Sequence, residues 1–243
     1  MPVQSLFYEE VVSVSKQQHS NLSVKIGTDY TFASKINAVP IIANEVSQSV
    51  QEYPVVFVEN DGSVMLNAIL GLEKEQNLYV TAEGKWQGKY IPAFIRRYPF
   101  IFALNENEKT FTLCIDEKFS GCNQEGRGER LFDAEGEETQ FLKNVLNFLK
   151  IYQAQFQRTQ QIAQKIKDLN LLESAQIRMN TEQNEPLFLS GFSTVNREKL
   201  QQLSGEQLAE LMQLGLLELI YLHLQSMNNF SDLVELRKQV LDH

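Results

Sequence analysis

The sequence is poor in the residues that build disulfide frameworks and metal sites. Its 243 residues contain two cysteines and three histidines. Two cysteines cannot form the disulfide network of a small secreted domain, and Cys114 and Cys122 lie too far apart for the short spacing of a zinc knuckle. No histidine has a second ligand one helical turn away. We therefore expect no metal, no cofactor and two free thiols in a reducing compartment.

Positive charge and long apolar runs are also scarce. The chain carries 31 acidic against 22 basic residues, a formal charge of −9, whereas a duplex nucleic-acid binder needs a basic face to displace phosphate counterions. Glu9 and Glu10 fall where a signal peptide would have its apolar core. Residues 214–224 are too few for a membrane span, which takes about 20 apolar residues. These absences predict a soluble cytoplasmic protein with no nucleic-acid partner and no membrane span, and leave signal-independent export open.

Up to about residue 136, short apolar runs alternate with turn signals. The strands are predicted over residues 54–59, 63–72, 77–81, 98–104 and 110–115. The first two flank Asn60-Asp61-Gly62, which is typical of a hairpin. A stretch without helix breakers over residues 41–51 predicts one short helix. This half is therefore expected to be α+β, with a mostly antiparallel sheet.

The pattern changes after residue 136. Apolar residues recur at spacings of three and four, and the absence of glycine and proline from residues 138–184 predicts one amphipathic helix of roughly thirty residues. Its apolar face, with Phe148 and Phe156, is expected to pack on its own domain; a partner helix from a second copy, giving a homodimer, is the alternative. A strand is predicted over residues 187–192. A helical tail follows, with Ser204 and Gln207 as a capping box.

The predicted fold is thus α+β: a β-rich, mostly antiparallel N-terminal half, then a long amphipathic helix and a helical C-terminal tail. We assign residues 1–136 to the α+β region and residues 137–243 to a helical region that packs on it. The two form separate domains or one continuous domain.

One segment, residues 86–100, combines the only tryptophan with several other aromatic and basic residues. The candidate ligand- or partner-binding residues are Trp86, Tyr90, Arg96, Arg97 and Tyr98. Arginines among aromatic rings can grip carboxylates or form a peptide-binding groove, and simple core filling is the alternative. Adjacent residues do not share a face, so one arginine should point inward and the other outward. We predict that Arg97 is the outward one, because Arg96 shares strand parity with neighbouring aromatic residues.

The same segment carries a family resemblance. Residues 71–100, GLEKEQNLYVTAEGKWQGKYIPAFIRRYPF, resemble the characteristic stretch of the SapC family, with its Gly-x-Trp, Tyr-x-Pro-Ala and Arg-Arg-Tyr-Pro-Phe elements. Further similarity lies in residues 52–57, 131–139 and 215–233, so the resemblance covers almost the whole chain. The family is named for a link to a bacterial surface layer that confers serum resistance. The resemblance implies that the protein is bacterial. It does not identify a catalytic residue in this sequence.

The sequence contains none of the common catalytic motifs that we compared with it. It has no G-x-S-x-G nucleophile elbow and no phosphate-binding glycine loop. The leading hypothesis is a non-catalytic cytoplasmic protein that binds a protein or peptide partner in the handling of surface components. In the first alternative, Arg96 or Arg97 anchors an anionic substrate of an enzyme of unfamiliar type. The base of that enzyme would be Asp116 or Asp133. The second alternative is a subunit of a self-associating surface array.

Overall fold

The computed structural model describes residues 6–27, 29–60, 62–105, 110–180 and 186–241. The strands are β1 (Val11–Ser13), β2 (Ser23–Val24), β3 (Ala38–Pro40), β4 (Val55–Asn60), β5 (Ser63–Ile69), β6 (Phe100–Asn105), β7 (Thr110–Asp116), β8 (Cys122–Asn123), β9 (Glu129–Arg130), β10 (Leu172–Asn180) and β11 (Pro186–Val195). The helices are α1 (Lys16–His19), α2 (Val46–Ser49), α3 (Ala93–Arg96), α4 (Gln140–Asp168), α5 (Arg197–Gln201), α6 (Gly205–Gln213), α7 (Leu216–Ser226) and α8 (Asn229–Leu241). The predicted α+β class, with antiparallel sheets, a long helix and C-terminal helices, is confirmed.

The largest sheet has five antiparallel strands in the order β10-β11-β4-β5-β3. Val55, Val56 and Phe57 of β4 are all buried, because α7 packs on this strand and α4 packs on its neighbour β5. A strand covered on both faces reads as a continuous apolar run, and this run was predicted. The turn expected between β4 and β5 includes residue 61, which lies outside the described residues.

The strand predicted over residues 77–81 is wrong. Only a single bridge forms there, between Val80 and Trp86. The carboxamide oxygen of Asn77 accepts a hydrogen bond from the amide of Tyr79 at 2.9 Å. Such a local turn offers the backbone an alternative to a sheet ladder, so the chain curls instead of extending.

A second antiparallel sheet has the strand order β1-β7-β6. β6 pairs with β7 from Phe100 opposite Ile115 to Asn105 opposite Thr110, as the two apolar runs predicted. The polar turn expected between them falls in residues 106–109, outside the described residues. A small third sheet joins β8, β2 and β9.

The helix α4 is the 29-residue helix that the apolar periodicity predicted. Thr139 caps it, its hydroxyl accepting a hydrogen bond from the amide of Leu142 at 3.3 Å, which satisfies one of the free donors of a helix start. Its buried face packs on β5 within the same chain. Phe156 is 6% exposed, whereas Phe148 is only half-buried. The apolar stripe is therefore covered along most of its length and open near Phe148.

A hairpin of β10 and β11 carries the chain from α4 back into the five-stranded sheet. Strand β11 pairs with β4 where Ser193 lies opposite Phe57. Strand β11 covers the stretch predicted over residues 187–192, but β10 was not predicted. Because β10 is an edge strand with many exposed side chains, its sequence has little apolar pattern. Residues on both sides of position 136 thus contribute to one sheet, and the division into two regions stays a prediction.

The helical tail begins as predicted. The amide of Gln207 donates to the Ser204 hydroxyl at 3.2 Å, and the amide of Ser204 donates to the Gln207 side chain at 3.0 Å. Gly215, with a φ of 71°, separates α6 from α7; the left-handed conformation is one that glycine adopts without strain. Within the described ranges, no helix is long and apolar enough to cross a membrane.

A buried histidine joins α7 to the five-stranded sheet. The Nε2 atom of His223 accepts a hydrogen bond from the amide of Val195 at 3.1 Å. The proton therefore lies on Nδ1, which donates to the carbonyl of Val55 at 2.6 Å. The hydroxyl of Ser226 donates to the carbonyl of His223 at 2.7 Å and accepts from the amide of Val55 at 3.0 Å. Burial lowers the pKa of His223 to about 4, so the ring is neutral at physiological pH.

Candidate ligand-binding site

A buried carboxylate, Glu45, holds the short helix α3 in place. Its Oε2 atom accepts a hydrogen bond from the amide of Ala93, the first residue of α3, at 2.8 Å. Its Oε1 atom accepts from the amide of Ile42 at 2.8 Å. Glu45 is 4% exposed. Burial raises the pKa of Glu45, and the hydrogen bonds from Tyr90, Ala93 and Ile42 oppose that rise.

Tyr90 connects this buried carboxylate to Arg96 at the surface. The Tyr90 hydroxyl donates to Oε2 of Glu45 at 2.6 Å and accepts from Nη2 of Arg96 at 3.3 Å. The position of Tyr90 is itself fixed, because its amide donates to the carboxylate of Glu52 at 2.9 Å. These contacts form a continuous hydrogen-bonded path from the interior to solvent.

The guanidinium of Arg96 is exposed yet held in one orientation. Its Nε atom donates to the carbonyl of Ile91 at 2.9 Å. Its Cζ atom lies 5.7 Å from the ring centroid of Tyr90 and 5.5 Å from that of Phe148, within the range of cation–π attraction. An arginine has five N–H donors; in the described part of the chain, both donors on Nη1 and one on Nη2 have no acceptor.

Arg97 points inward, so the prediction that it faces outward is wrong. It is 3% exposed, and its Cζ atom lies 4.2 Å from the ring centroid of Phe94 and 5.1 Å from that of Tyr152. The error came from strand parity: Arg97 ends a helical turn, and residues three apart on a helix share a face. Arg97 therefore follows Phe94 into the core. Burial raises the pKa of Tyr8, and the positive charge of Arg97 opposes the rise.

Trp86 and Tyr98, the remaining predicted candidates, belong mainly to the aromatic core. Trp86 is half-buried, and its ring stacks on that of Tyr79 at 6.0 Å between centroids. Tyr98 is buried, and its ring stacks on that of Phe32 at 4.1 Å. Of the five candidates, the structure thus brings Tyr90 and Arg96 together at the surface. Arg97 and Tyr98 are largely buried but line, with Arg96, the groove described below, and Trp86 is half-buried outside it.

An apolar groove opens beside Arg96, between α3 and the first half of α4. Its volume is about 330 Å³, within the range of pockets that hold small ligands or a few side chains of a peptide. The apolar walls are formed by Ile26, Phe100, Phe141, Val145 and Phe148. Ile26 is 40% exposed. An apolar cleft with an oriented cation at its side suits a ligand that carries a carboxylate next to an apolar group.

Sequence reasoning missed Glu45 and the part played by the start of α4. Glu45 stands between the apolar pair Ile41-Ile42 and Val46, and these neighbours are the only sequence signal that its carboxylate is buried. Phe141, Val145 and Phe148 share a helix face by their spacing. Periodicity cannot tell which part of such a stripe stays uncovered, because that depends on where α3 and β2 pack.

The two carboxylates proposed as catalytic bases have other partners. Asp116, at the end of β7, is fully buried. It accepts hydrogen bonds from the amides of Glu9 (2.8 Å), Glu10 (3.0 Å) and Lys118 (3.1 Å) and from the hydroxyl of Tyr98 (3.2 Å). Asp133 lies in the exposed turn before α4 and accepts from two backbone amides of that turn. Neither carboxylate lines the groove.

The metal-ligating residue types are dispersed. Among the described residues, no group of three histidine, cysteine, aspartate or glutamate side chains is placed to hold a metal ion. Cys114 is buried, Cys122 is half-buried, and both are free. Burial, with the nearby charge of Asp116 adding to it, raises the pKa of Cys122 to about 11. This thiol is therefore protonated and weakly reactive at neutral pH.

Comparison with known proteins gives one match. The sequence model of the SapC family matches residues 14–233, a range that includes both walls of the groove, Glu45, Tyr90 and Arg96. No curated protein and no solved structure matches the chain.

Proposed function

The chain belongs to the SapC family, and on that premise we propose that it is a non-catalytic, cytoplasmic accessory protein that binds a peptide segment of a partner protein in the groove between α3 and α4. The segment presents a carboxylate to Arg96 and an apolar side chain to the groove. The partner protein that contains this segment is a component of the bacterial surface, as the name of the family suggests. The observation that carries this proposal is the oriented, exposed guanidinium of Arg96 beside an apolar cleft.

The chemistry of Arg96 favours a carboxylate as the polar contact. The free donors of its guanidinium lie on Nη1 and Nη2, the two nitrogens that engage a carboxylate in paired hydrogen bonds. The contacts of Arg96 with Ile91, Tyr90 and Phe148 restrict its rotamers before a ligand arrives. A side chain that is already ordered loses less entropy on binding.

The apolar part of the groove favours a peptide over a small anion. Phe141, Val145 and Phe148 are each only half-buried, and a bulky apolar side chain would cover them. Burial of apolar surface contributes roughly 25 cal/mol per Å², so a hydrophobic anchor adds affinity that a bare carboxylate lacks. The expected motif is an acidic residue, or a chain terminus, beside a leucine or an aromatic residue.

The test is fluorescence anisotropy with a library of short labelled peptides that carry an aspartate next to leucine or phenylalanine. Each peptide is paired with the version in which asparagine replaces the aspartate. We expect the acidic member to bind at least about tenfold more tightly, the size of a lost charge-assisted hydrogen bond. Arg96→Gln should remove this preference, and Val145→Glu should weaken both members.

The control is Arg197→Gln, a substitution of an exposed arginine at the start of α5 that lies outside the groove. Equal affinity of acidic and amide peptides for the unmodified protein would contradict the proposal, as would wild-type selectivity in Arg96→Gln. Substitutions of Trp86 and Arg97 are unsuitable as binding tests. Trp86 stacks on Tyr79 at the edge of the aromatic core and Arg97 is buried, so the loss of either side chain would disturb folding.

A further inference from the structure

A second pocket lies farther along α4, where this helix faces the junction of α6 and α7 and the 3₁₀ turn Ala43–Glu45. Its volume is about 260 Å³, below the range typical of drug-sized ligands. The floor is apolar and is formed by Val46, Ile162, Leu216, Leu219 and Leu222. Its rim is polar and includes Asn44, Ser47, Gln155, Arg158 and Glu218. The pocket therefore suits a small molecule with an apolar group and polar ends.

A buried hydrogen-bonding side chain and a glycine turn fix two walls of this pocket. The hydroxyl of Thr159, which is fully buried, accepts a hydrogen bond from the amide of Ala43 at 2.8 Å and donates to the carbonyl of Gln155 at 2.7 Å. This side chain ties the 3₁₀ turn to α4. On the opposite side, the left-handed conformation of Gly215 sets the start of α7. The pocket is thus largely formed before any ligand binds.

The rim holds two opposite charges that do not neutralise each other. Arg158 on α4 and Glu218 on α7 both line the pocket and are both exposed. Within the described part of the chain, neither side chain makes a hydrogen bond or an ion pair, and the two do not pair with each other. A ligand with one charge would meet attraction from one of these groups and repulsion from the other. A ligand with both charges close together satisfies both.

We infer that this pocket binds a free α-amino acid with an apolar side chain. Arg158 binds the carboxylate, Glu218 binds the ammonium group, and the leucine-rich floor holds the side chain. An α-amino acid carries its two charges on one carbon, which suits a small pocket whose rim presents both complements. This site shares no lining residue with the groove beside Arg96, and the inference is independent of peptide binding there.

The first experiment is isothermal titration of the full chain with L-leucine as the probe. Three analogues dissect the recognition: 4-methylpentanoate lacks the ammonium group, leucinamide lacks the carboxylate, and glycine lacks the side chain. We expect saturable binding of L-leucine and affinities at least about tenfold lower for each analogue. An absence of saturable binding of L-leucine at about 10 mM would overturn the inference, and so would equal affinity for 4-methylpentanoate.

The second experiment assigns the two charges. Arg158→Gln and Glu218→Gln should each lower the affinity for L-leucine about ten- to a hundredfold, and both should keep the wild-type melting temperature because both side chains are exposed. Arg197→Gln and Glu206→Gln are matched controls at exposed positions outside the pocket. Wild-type affinity in both pocket variants would place the amino acid elsewhere. Leucine binding that survives a failure of the peptide experiment separates this site from the groove.

Discussion

Two buried polar clusters satisfy their hydrogen bonds in different ways. Around His223, both ring nitrogens bond within the interior, to Val55 on one side and to Val195 on the other. Around Glu45, the hydrogen-bonded path continues through Tyr90 to the exposed Arg96. The difference teaches that burial of a polar group does not by itself mark a functional site. The His223 cluster ends on backbone groups and on the hydroxyl of Thr194, 3.0 Å from Nε2, whereas the Glu45 cluster delivers an oriented charge to a groove.

The largest expected effect separates the two arginines next to the Glu45 cluster. Arg97→Ala would empty a site between the rings of Phe94, Tyr152 and Tyr8, and we expect a loss of about 3–5 kcal/mol in the free energy of unfolding. Arg96→Ala should leave stability nearly unchanged, since its guanidinium faces solvent. Urea unfolding of both variants measures this. Similar losses in the two would show that the inward and outward assignment is wrong.

The burial of His223 should make the stability of the protein depend on pH. The pKa of His223 is about 4 in the fold, below the value of about 6.5 expected in the unfolded chain. The unfolded state therefore takes up the proton first, and stability falls as the pH drops from about 6.5 to about 4. The loss should reach about 3 kcal/mol, since each pKa unit corresponds to about 1.4 kcal/mol.

The matching variant is His223→Gln, which does not titrate. Urea unfolding of both proteins at several pH values gives a difference curve in which the carboxylates that the two chains share cancel. We expect the wild type to lose its advantage over the variant as the pH falls through this window. A difference that stays constant with pH would mean that the ring is accessible or already charged.

Glu45→Gln tests the buried end of the open cluster. A carboxylate accepts on both oxygens, but a carboxamide has only one, so the NH₂ group of glutamine would face either the Ile42 amide or the Tyr90 and Ala93 donors. Leaving buried donors unsatisfied costs about 1–3 kcal/mol, and we expect about 2 kcal/mol at this position. Thermal unfolding measures the loss. A variant as stable as the wild type would show that Glu45 is not needed to fix α3.

The smallest expected losses of stability come from deleting one hydroxyl group in each cluster, and these variants compare the two clusters most directly. Tyr90→Phe and Ser226→Ala each delete one hydroxyl, one from each cluster, and each should cost about 1 kcal/mol of stability. Only Tyr90→Phe should also weaken binding of the acidic peptides, because it frees Arg96 from its support. Measuring the stability and the peptide affinity of both variants tests whether the hydroxyl of Tyr90 supports binding. Equal affinities would mean that the open cluster has no part in binding.

The long periodic elements of this fold were predictable from sequence, and the placement of single side chains was not. Strands β4 and β5 and helix α4 follow from apolar patterns that neighbouring elements cover along most of their length. Strands β6 and β7 follow from apolar runs that are buried only at the end where Phe100 pairs with Ile115, whereas Leu104 and Phe111 at the other end are exposed. Strand β10 has no such pattern because it lies at an edge. The direction of Arg96 and Arg97 depends on whether one turn of chain is helical or extended, and the hydrogen bond that the Ala93 amide donates to Glu45 supports the helical form.

The candidate site shows the same division. The concentration of aromatic and basic residues in residues 86–100 pointed to five candidates, Trp86, Tyr90, Arg96, Arg97 and Tyr98. The structure joins two of them, Tyr90 and Arg96, by a hydrogen bond at the surface. Glu45 and Phe148 come from distant parts of the chain, and no local pattern links them to Arg96. Such partners are set by tertiary packing, which composition and periodicity do not encode.

The pairing of β11 with β4 has a consequence for synthesis on the ribosome. Strand β4 ends at residue 60, but the strand that covers one of its edges ends only at residue 195. At synthesis rates of about 5–20 residues per second, that edge stays open for on the order of ten seconds. An open edge is a template for pairing between chains. Nascent chains should therefore depend on chaperones during this interval, and fragments that end before β11 should aggregate rather than fold.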